Sequence, residues 1–160
     1  MRIGVVSDTH NNLANVRRIV ELFNAAGVEQ VVHTGDITQA KTLEVLAHLD
    51  APLSGVYGNN DLERDSLEAS ALEFGFALVD PPFEVEWAER RILVVHDPLE
   101  LAEYANGHDL VLHGHTHRYV LEHTDGRVVF NPGECAGHIE GYNAVGIVDL
   151  ATLDTELVRF

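Results

Sequence analysis

The sequence predicts an α/β fold in which two β-sheets pack together with helices outside, and three observations carry that prediction. Short apolar runs alternate with amphipathic stretches through the first half of the chain. After Pro81-Pro82 the chain consists mostly of short β-type runs. Polar clusters rich in Asp, Asn and His stand directly after five of the apolar runs.

Arg2–Ser7 is a continuous β-type run that stops at Asp8-Thr9-His10. From there Leu13, Val16, Ile19, Val20 and Phe23 recur at helical spacing, with Asn11 or Asn12 to cap the start and Gly27 after the end. Gln30–His33 is a second buried strand, followed by Gly35-Asp36. Thr42–Leu49 predicts a helix whose Leu43, Leu46 and Leu49 face inward. Leu53–Tyr57 is a third strand, closed by Gly58-Asn59-Asn60-Asp61. This βαβαβ order predicts a parallel sheet with right-handed crossovers. Beyond the two prolines, Phe83–Trp87 and Arg90–Val95 predict a hairpin around Ala88-Glu89. A short helix over Leu99–Tyr104 follows, then strands at Asp109–His113, Arg118–His123, Arg127–Asn131, Asn143–Leu150 and Thr155–Phe160. Asp125-Gly126 marks a hairpin turn. No repeat, low-complexity tract or linker divides the 160 residues, so residues 1–160 are expected to form one domain.

Composition narrows the function. Hydrophobic residues make up 46% of the chain, which argues against general disorder, and no apolar run reaches the roughly 20 residues that span a bilayer. Residues 1–7 are too short for a secretory signal core and read as mature protein. Cys135 is the only cysteine, so no internal disulfide can form, and a cytoplasmic setting is expected. The formal charge is −16, from 26 acidic and ten basic residues, with Lys41 the only lysine. Such a chain repels polyanions, so neither long nucleic acid nor an anionic membrane is an expected partner. The near-absence of lysine favours adaptation to high salt, where screening over about 3 Å at 1 M removes most self-repulsion.

In a parallel α/β sheet, ligands collect beyond the carboxyl ends of the strands. Five predicted strand ends carry Asp8-Thr9-His10, Gly35-Asp36, Gly58-Asn59-Asn60-Asp61, His96, and Gly114-His115-Thr116-His117. Each alone is weak, since a lone histidine is usually a core or surface residue. Five in succession point to one shared site. Imidazole and carboxylate together suit Mn, Fe, Zn or Ni better than Ca or Mg. Two carboxylates, four imidazoles and one amide suffice for two cations if one carboxylate bridges.

This ordered set resembles the calcineurin-like metallophosphoesterase superfamily. The short length, the start Ser7-Asp8-Thr9-His10 and the stretch Asn131-Pro132-Gly133-Glu134 are similar to its small phosphodiesterases of the YfcE and MJ0936 type. The resemblance implies a four-layer αββα sandwich with mixed sheets and the site at the sheet edges. By position it implies that Asp8, His10, Asp36 and His117 hold one divalent ion and Asp36, Asn59, His96 and His115 the other. Mn²⁺ leads, with Ni²⁺, Fe²⁺ or Zn²⁺ as alternatives. It further implies in-line attack of a bridging hydroxide on a small phosphodiester, with Asp61 orienting the site. Asn60 stands where many members carry a histidine that protonates the leaving group, and an amide cannot act as a general acid near neutrality. His96 is followed by Asp97-Pro98, where glycine is usual; Asp97 either alters substrate binding or caps the next helix.

Packing is the better reading for His33, His113, Trp87 and Cys135, and a solvent-facing one for His48, His108, His123 and Arg118. His138 fits either. Asn131-Pro132-Gly133 reads equally as cleft lining or as a plain turn. A rival function is a protein-interaction scaffold on the same fold, similar to Vps29. A scaffold is free to lose ligands, and all seven are present here. The oligomeric state is left open, a homo-oligomer included.

Overall fold

The computed structural model describes residues 1–104, 107–124 and 126–160. In chain order its elements are β1 (Arg2–Val6), α1 (Leu13–Ala26), β2 (Gln30–His33), α2 (Ala40–Leu46), β3 (Leu53–Val56), α3 (Arg64–Phe74) and β4 (Ala77–Val79). There follow β5 (Phe83–Trp87), β6 (Arg90–Val94), a 3-10 turn (Pro98–Glu100) running into α4 (Leu101–Tyr104), and β7 (Leu110–Leu112). The chain closes with β8 (Val120–Thr124), β9 (Arg127–Asn131), β10 (Ala144–Asp149) and β11 (Asp154–Arg159).

The first sheet has the order β11-β10-β1-β2-β3-β4, parallel from β1 to β4 and antiparallel at β10 and β11. The second has the order β5-β6-β7-β9-β8, parallel through β6-β7-β9 with antiparallel edges. Both sheets are therefore mixed. Ile3, Val5, Val32 and Val56 of the first sheet meet Ile92, Val94, Leu110, Leu112 and Phe130 of the second in one apolar layer. Fully burying each such side chain contributes about 1.5–3 kcal/mol. The other face of the first sheet is covered by α1, α2 and α3 through Val16, Ile19, Phe23, Leu43, Leu46 and Leu67. Over the second sheet the outer layer is thin: Leu101 and Tyr104 of α4 cover Leu93, Val95, Val111 and Val129. The strands buried on both sides, such as β1 and β2, read as continuous apolar runs for that reason.

Several boundaries differ from expectation. Helix α2 begins earlier and ends at Leu46, because the Asn24 side chain donates to the His48 carbonyl and accepts from the Asp50 N–H, holding the chain in a turn. Helix α3 and strand β4 carry no clear sequence signal. In α3 only Leu67 and Ala71 are buried, and β4 is three residues long at a sheet edge. Strand β8 starts two residues late, since Arg118 and Tyr119 remain in the loop after His117. Asp125 of the expected Asp125-Gly126 turn lies outside the described residues. No described helix is long and apolar enough to cross a membrane.

Candidate metal centre

All the strand-end clusters lie at the carboxyl ends of parallel strands: Asp8 and His10 after β1, Asp36 after β2, Asn59 after β3, His96 after β6, and His115 and His117 after β7. The two sheets present these ends side by side. The backbone there is strained. Ten non-glycine residues described have positive φ; seven lie in these loops, among them Asp8, His10, Asp36, His115 and His117. Left-handed geometry costs an ordinary residue roughly 1–2 kcal/mol, so it persists only where surrounding contacts enforce it.

Asp8, His10, Asp36 and His117 bring one ligand-capable atom each within 4.8 Å of one another. The Nε2 atoms of His10 and His117 are 3.3 Å apart, and His117 Nε2 is 3.5 Å from Asp8 Oδ1. Asp8 is buried; its Oδ2 accepts from Ser7 Oγ and from the His115 N–H, while Oδ1 has no hydrogen-bond partner. On the other side of Asp36, Asn59 Oδ1 is 2.9 Å from both His96 Nε2 and His115 Nδ1. Asp36 spans the two groups, with Oδ2 3.3 Å from His10 Nε2 and Oδ1 3.4 Å from His96 Nε2.

Hydrogen bonds on the outer nitrogens set the tautomers. His96 Nδ1–H donates to the Thr34 carbonyl at 2.8 Å, and His117 Nδ1–H donates to Glu134 Oε2 at 2.9 Å. The Nε2 lone pair of each imidazole then faces inward, toward carboxylate and amide oxygens. Electron-pair donors converging at such distances repel unless protons or a cation lie among them. The ionisation equilibria follow the same demand. Burial works against the His96 imidazolium, yet Asp36, the Thr34 carbonyl and Asp8 outweigh it and push the group up to about 9. Contact with Asp36 likewise raises His10. Burial opposes ionisation of Asp36, but hydrogen bonds from His10, His96 and Asn60 overcome it and hold the carboxyl well below the usual range. The donor set fits divalent cations of the borderline type.

A supporting shell holds these groups. Buried Asp61 accepts from three backbone N–H groups, those of Asp36 (3.1 Å), Gly58 (2.6 Å) and Thr38 (2.6 Å), and so ties the loops after β2 and β3 together. Asn60 donates to Asp36 twice, from its backbone N–H at 2.9 Å and its side-chain amide at 2.7 Å. Two glycines make the close approach feasible. A Cβ on Gly58 would stand 2.2 Å from Asp36 Oδ1, and one on Gly114 would stand 2.1 Å from Ser7 Oγ. Glu134 is fully buried, and its Oε1 accepts from the Ile139 N–H at 2.9 Å.

Residues 1–153 match the calcineurin-like phosphoesterase superfamily domain. The chain belongs to that superfamily. It is 36% identical over 154 residues to phosphodiesterase MJ0936 of Methanocaldococcus jannaschii, a match covering 93% of each chain. It is 28% identical over 149 residues to phosphodiesterase YfcE of Escherichia coli K12, covering 83% of this chain and 78% of the relative. A solved structure described as a novel archaeal phosphodiesterase superimposes over the whole of both chains with a TM-score of 0.91 at 34% identity. The fold expected from the sequence is that of this phosphoesterase superfamily.

Within this phosphoesterase chain the remaining residues sort by contact. His33 is buried and neutral: its Nδ1 accepts from the Gly35 N–H, its Nε2–H faces Thr9 Oγ1 at 3.1 Å, and burial drives it down to about 3. His113 is also buried, which lowers its pKa, and Cys135 is enclosed. Trp87 is half-buried against the inter-sheet core. His48 and His123 are exposed as expected, but His108, in the loop before β7, is half-buried with its Nε2 3.2 Å from Glu84 Oε2 of β5. Asp97 does cap the turn, accepting from the Leu99 N–H, and also stands 3.9 Å from His115 Nε2. Asn131 is buried; it donates to the Gly114 carbonyl and accepts from the Gly133 N–H, so the loop after β9 is latched to the His115 loop. His138 packs flat on His117, with ring centroids 5.2 Å apart, and its Nδ1 is 3.5 Å from Glu134 Oε2. Glu134 and His138 are the parts of the site that sequence reasoning left without a role. The signal was thin, a carboxylate after Asn-Pro-Gly and a histidine four residues on.

Proposed function

We propose that the chain is a dinuclear metal-dependent phosphodiesterase acting on small phosphodiesters. Asp8, His10, Asp36 and His117 hold one divalent cation, Asp36, Asn59, His96 and His115 the other, and Mn²⁺ is the first choice of metal. The observation that carries this reading is the inward convergence of donor atoms on both sides of Asp36. When bound, such cations supply Lewis acidity toward phosphoryl oxygens and make water nucleophilic near neutral pH.

The chain's own residues do the rest. Asp36 presents one oxygen to each group, Asn60 fixes its carboxylate plane, Asp61 holds its backbone N–H, and the Thr34 carbonyl and Glu134 fix the imidazoles of His96 and His117. Asp8 and Asp36 bring two negative charges against four positive ones, so the centre attracts an anionic diester although the chain as a whole carries −16. That overall charge disfavours long nucleic acid as substrate. Asn60 supplies hydrogen bonds but no proton, so reaction depends on leaving groups able to depart as anions. The test is hydrolysis of bis(p-nitrophenyl) phosphate with added Mn²⁺, with and without chelator, alongside sheared DNA. Metal-dependent release from the small diester alone is the expected result. No release with any metal argues for a binding scaffold on this fold, and comparable DNA turnover argues for a nuclease.

A further inference from the structure

Beside His117 the surface opens into a cleft of about 430 Å³, within the range of small-molecule sites. Its walls include Arg118, Tyr119, Ile139, Tyr142 and Arg159, and its inner end is His117 itself. Two features set it apart. Of eight exposed large apolar side chains described, Tyr119, Ile139 and Tyr142 all line this one cleft. Arg118 and Arg159, two of only ten basic residues in a −16 chain, line this cleft together, and like Arg17, Lys41, Arg90 and Arg91 they make no ion pair with a described carboxylate. Arg159 instead lies with its guanidinium carbon 5.3 Å from the centre of the Tyr142 ring.

In so acidic a protein, two guanidinium groups gathered in one cleft beside exposed tyrosines answer to a ligand that is both anionic and flat. Guanidinium binds phosphate through paired N–H donors, and tyrosine and arginine planes stack on aromatic rings. We propose that this cleft receives one ester arm of the diester, and that the arm is nucleotide-like: a planar base carrying a second phosphate. The proposal rests on the phosphodiesterase reading of the adjoining centre. It narrows the substrate from any small diester to one with a charged aromatic arm, seated against Tyr142 and the two arginines while the scissile phosphate lies beyond His117.

Two measurements test it. The first compares kcat/KM for methyl p-nitrophenyl phosphate, thymidine 5′-(p-nitrophenyl phosphate) and the same ester phosphorylated at the 3′ position. The second is calorimetric binding of thymidine 3′,5′-bisphosphate, which contains no diester bond, to the Mn²⁺-loaded protein. The expected order of kcat/KM rises from the methyl ester to the 3′-phosphorylated one. In the double variant Arg118→Gln/Arg159→Gln the preference for the 3′-phosphate should shrink about tenfold or more, and bisphosphate binding should weaken by a similar factor. Tyr142→Ala should erode the preference for thymidine over methyl, and Arg18→Gln, an exposed residue paired with Glu21 and absent from the cleft walls, should change neither ratio. Equal kcat/KM for the three esters, or bisphosphate binding within twofold of wild type in the double variant, overturns the proposal. Absence of hydrolysis in every protein, together with bisphosphate binding that the double variant loses, rejects the phosphodiesterase reading while supporting the cleft as a nucleotide-type site.

Discussion

Replacing Glu134 by Ala should weaken one of two cation-binding events and leave the other intact. Glu134 is fully buried, 2.9 Å from His117 Nδ1, and makes no hydrogen bond or ion pair with Asn59, His96 or His115. Without it the His117 ring loses the hydrogen bond that keeps its proton on Nδ1 and its lone pair on Nε2. Loss of such an outer partner typically lowers metal affinity about 10–100-fold, or roughly 1.4–2.8 kcal/mol. The Ile139 N–H also loses its acceptor, at a stability cost of about 1–3 kcal/mol. Glu134→Gln should lose less affinity, because its amide oxygen can still accept from His117, although its NH₂ then faces the Ile139 N–H. The assay is calorimetric Mn²⁺ titration of chelator-stripped protein, with circular dichroism to verify that each variant is folded. Affinity within twofold of wild type at both sites in folded Glu134→Ala would mean that Glu134 does not hold His117 for a cation.

Other outcomes follow from the same contacts. With Asn60 holding Asp36 and donating no proton, rates on aryl diesters should depend steeply on leaving-group pKa, and Asn60→His should flatten that dependence; equal slopes in both proteins would place Asn60 away from the leaving oxygen. Neutral His33, at about 3 in the fold against about 6.5 unfolded, means that the unfolded chain binds the extra proton in acid. Its contribution to stability is therefore complete above pH 6.5 and falls by about 1.4 kcal/mol per unit below it, to a loss of roughly 5 kcal/mol at pH 3. Denaturant melts of His33→Gln should show a correspondingly shallower acid decline than wild type, and identical slopes would contradict this. The charge of −16 predicts a melting temperature that climbs from low salt to molar KCl, and a flat profile would remove the high-salt reading.

How far the sequence disclosed this molecule depended on where each signal was local. Strands β1, β2 and β3 were legible because each is a short buried run with apolar residues at its centre or ends, and a polar cluster follows at once. Helix α1 announced itself by its stripe and by Asn12, whose side chain does accept from the Asn15 N–H. Helix α3 did not, because it rests on the sheet through little more than Leu67 and Ala71. The strand ends named the residues that converge, since each follows its own strand. Asp61 could be named as an orienting residue from its block, but the partners of His117 were hidden, because they are tertiary. Glu134 reaches His117 only through the pairing of β7 with β9, and His138 reaches it only through the loop beyond. The left-handed backbone at Asp8, His10 and Asp36 has no glycine to betray it. Arg118 read as a surface residue and is exposed, yet its neighbours across the cleft, Tyr142 and Arg159, lie on other segments that no local pattern connects to it.

On the proposed function, Asp36 joins two cation sites into one catalytic centre. The most direct measurement of this is stepwise addition of Mn²⁺ to chelator-stripped protein, with bound metal and bis(p-nitrophenyl) phosphate turnover followed in the same samples, for wild type and Asp36→Asn. Two equivalents should bind per wild-type chain, turnover should appear only as the second is filled, and Asp36→Asn should lose both binding and turnover. Full activity at one equivalent, or near-wild-type metal content and turnover in Asp36→Asn, would contradict a centre joined by Asp36.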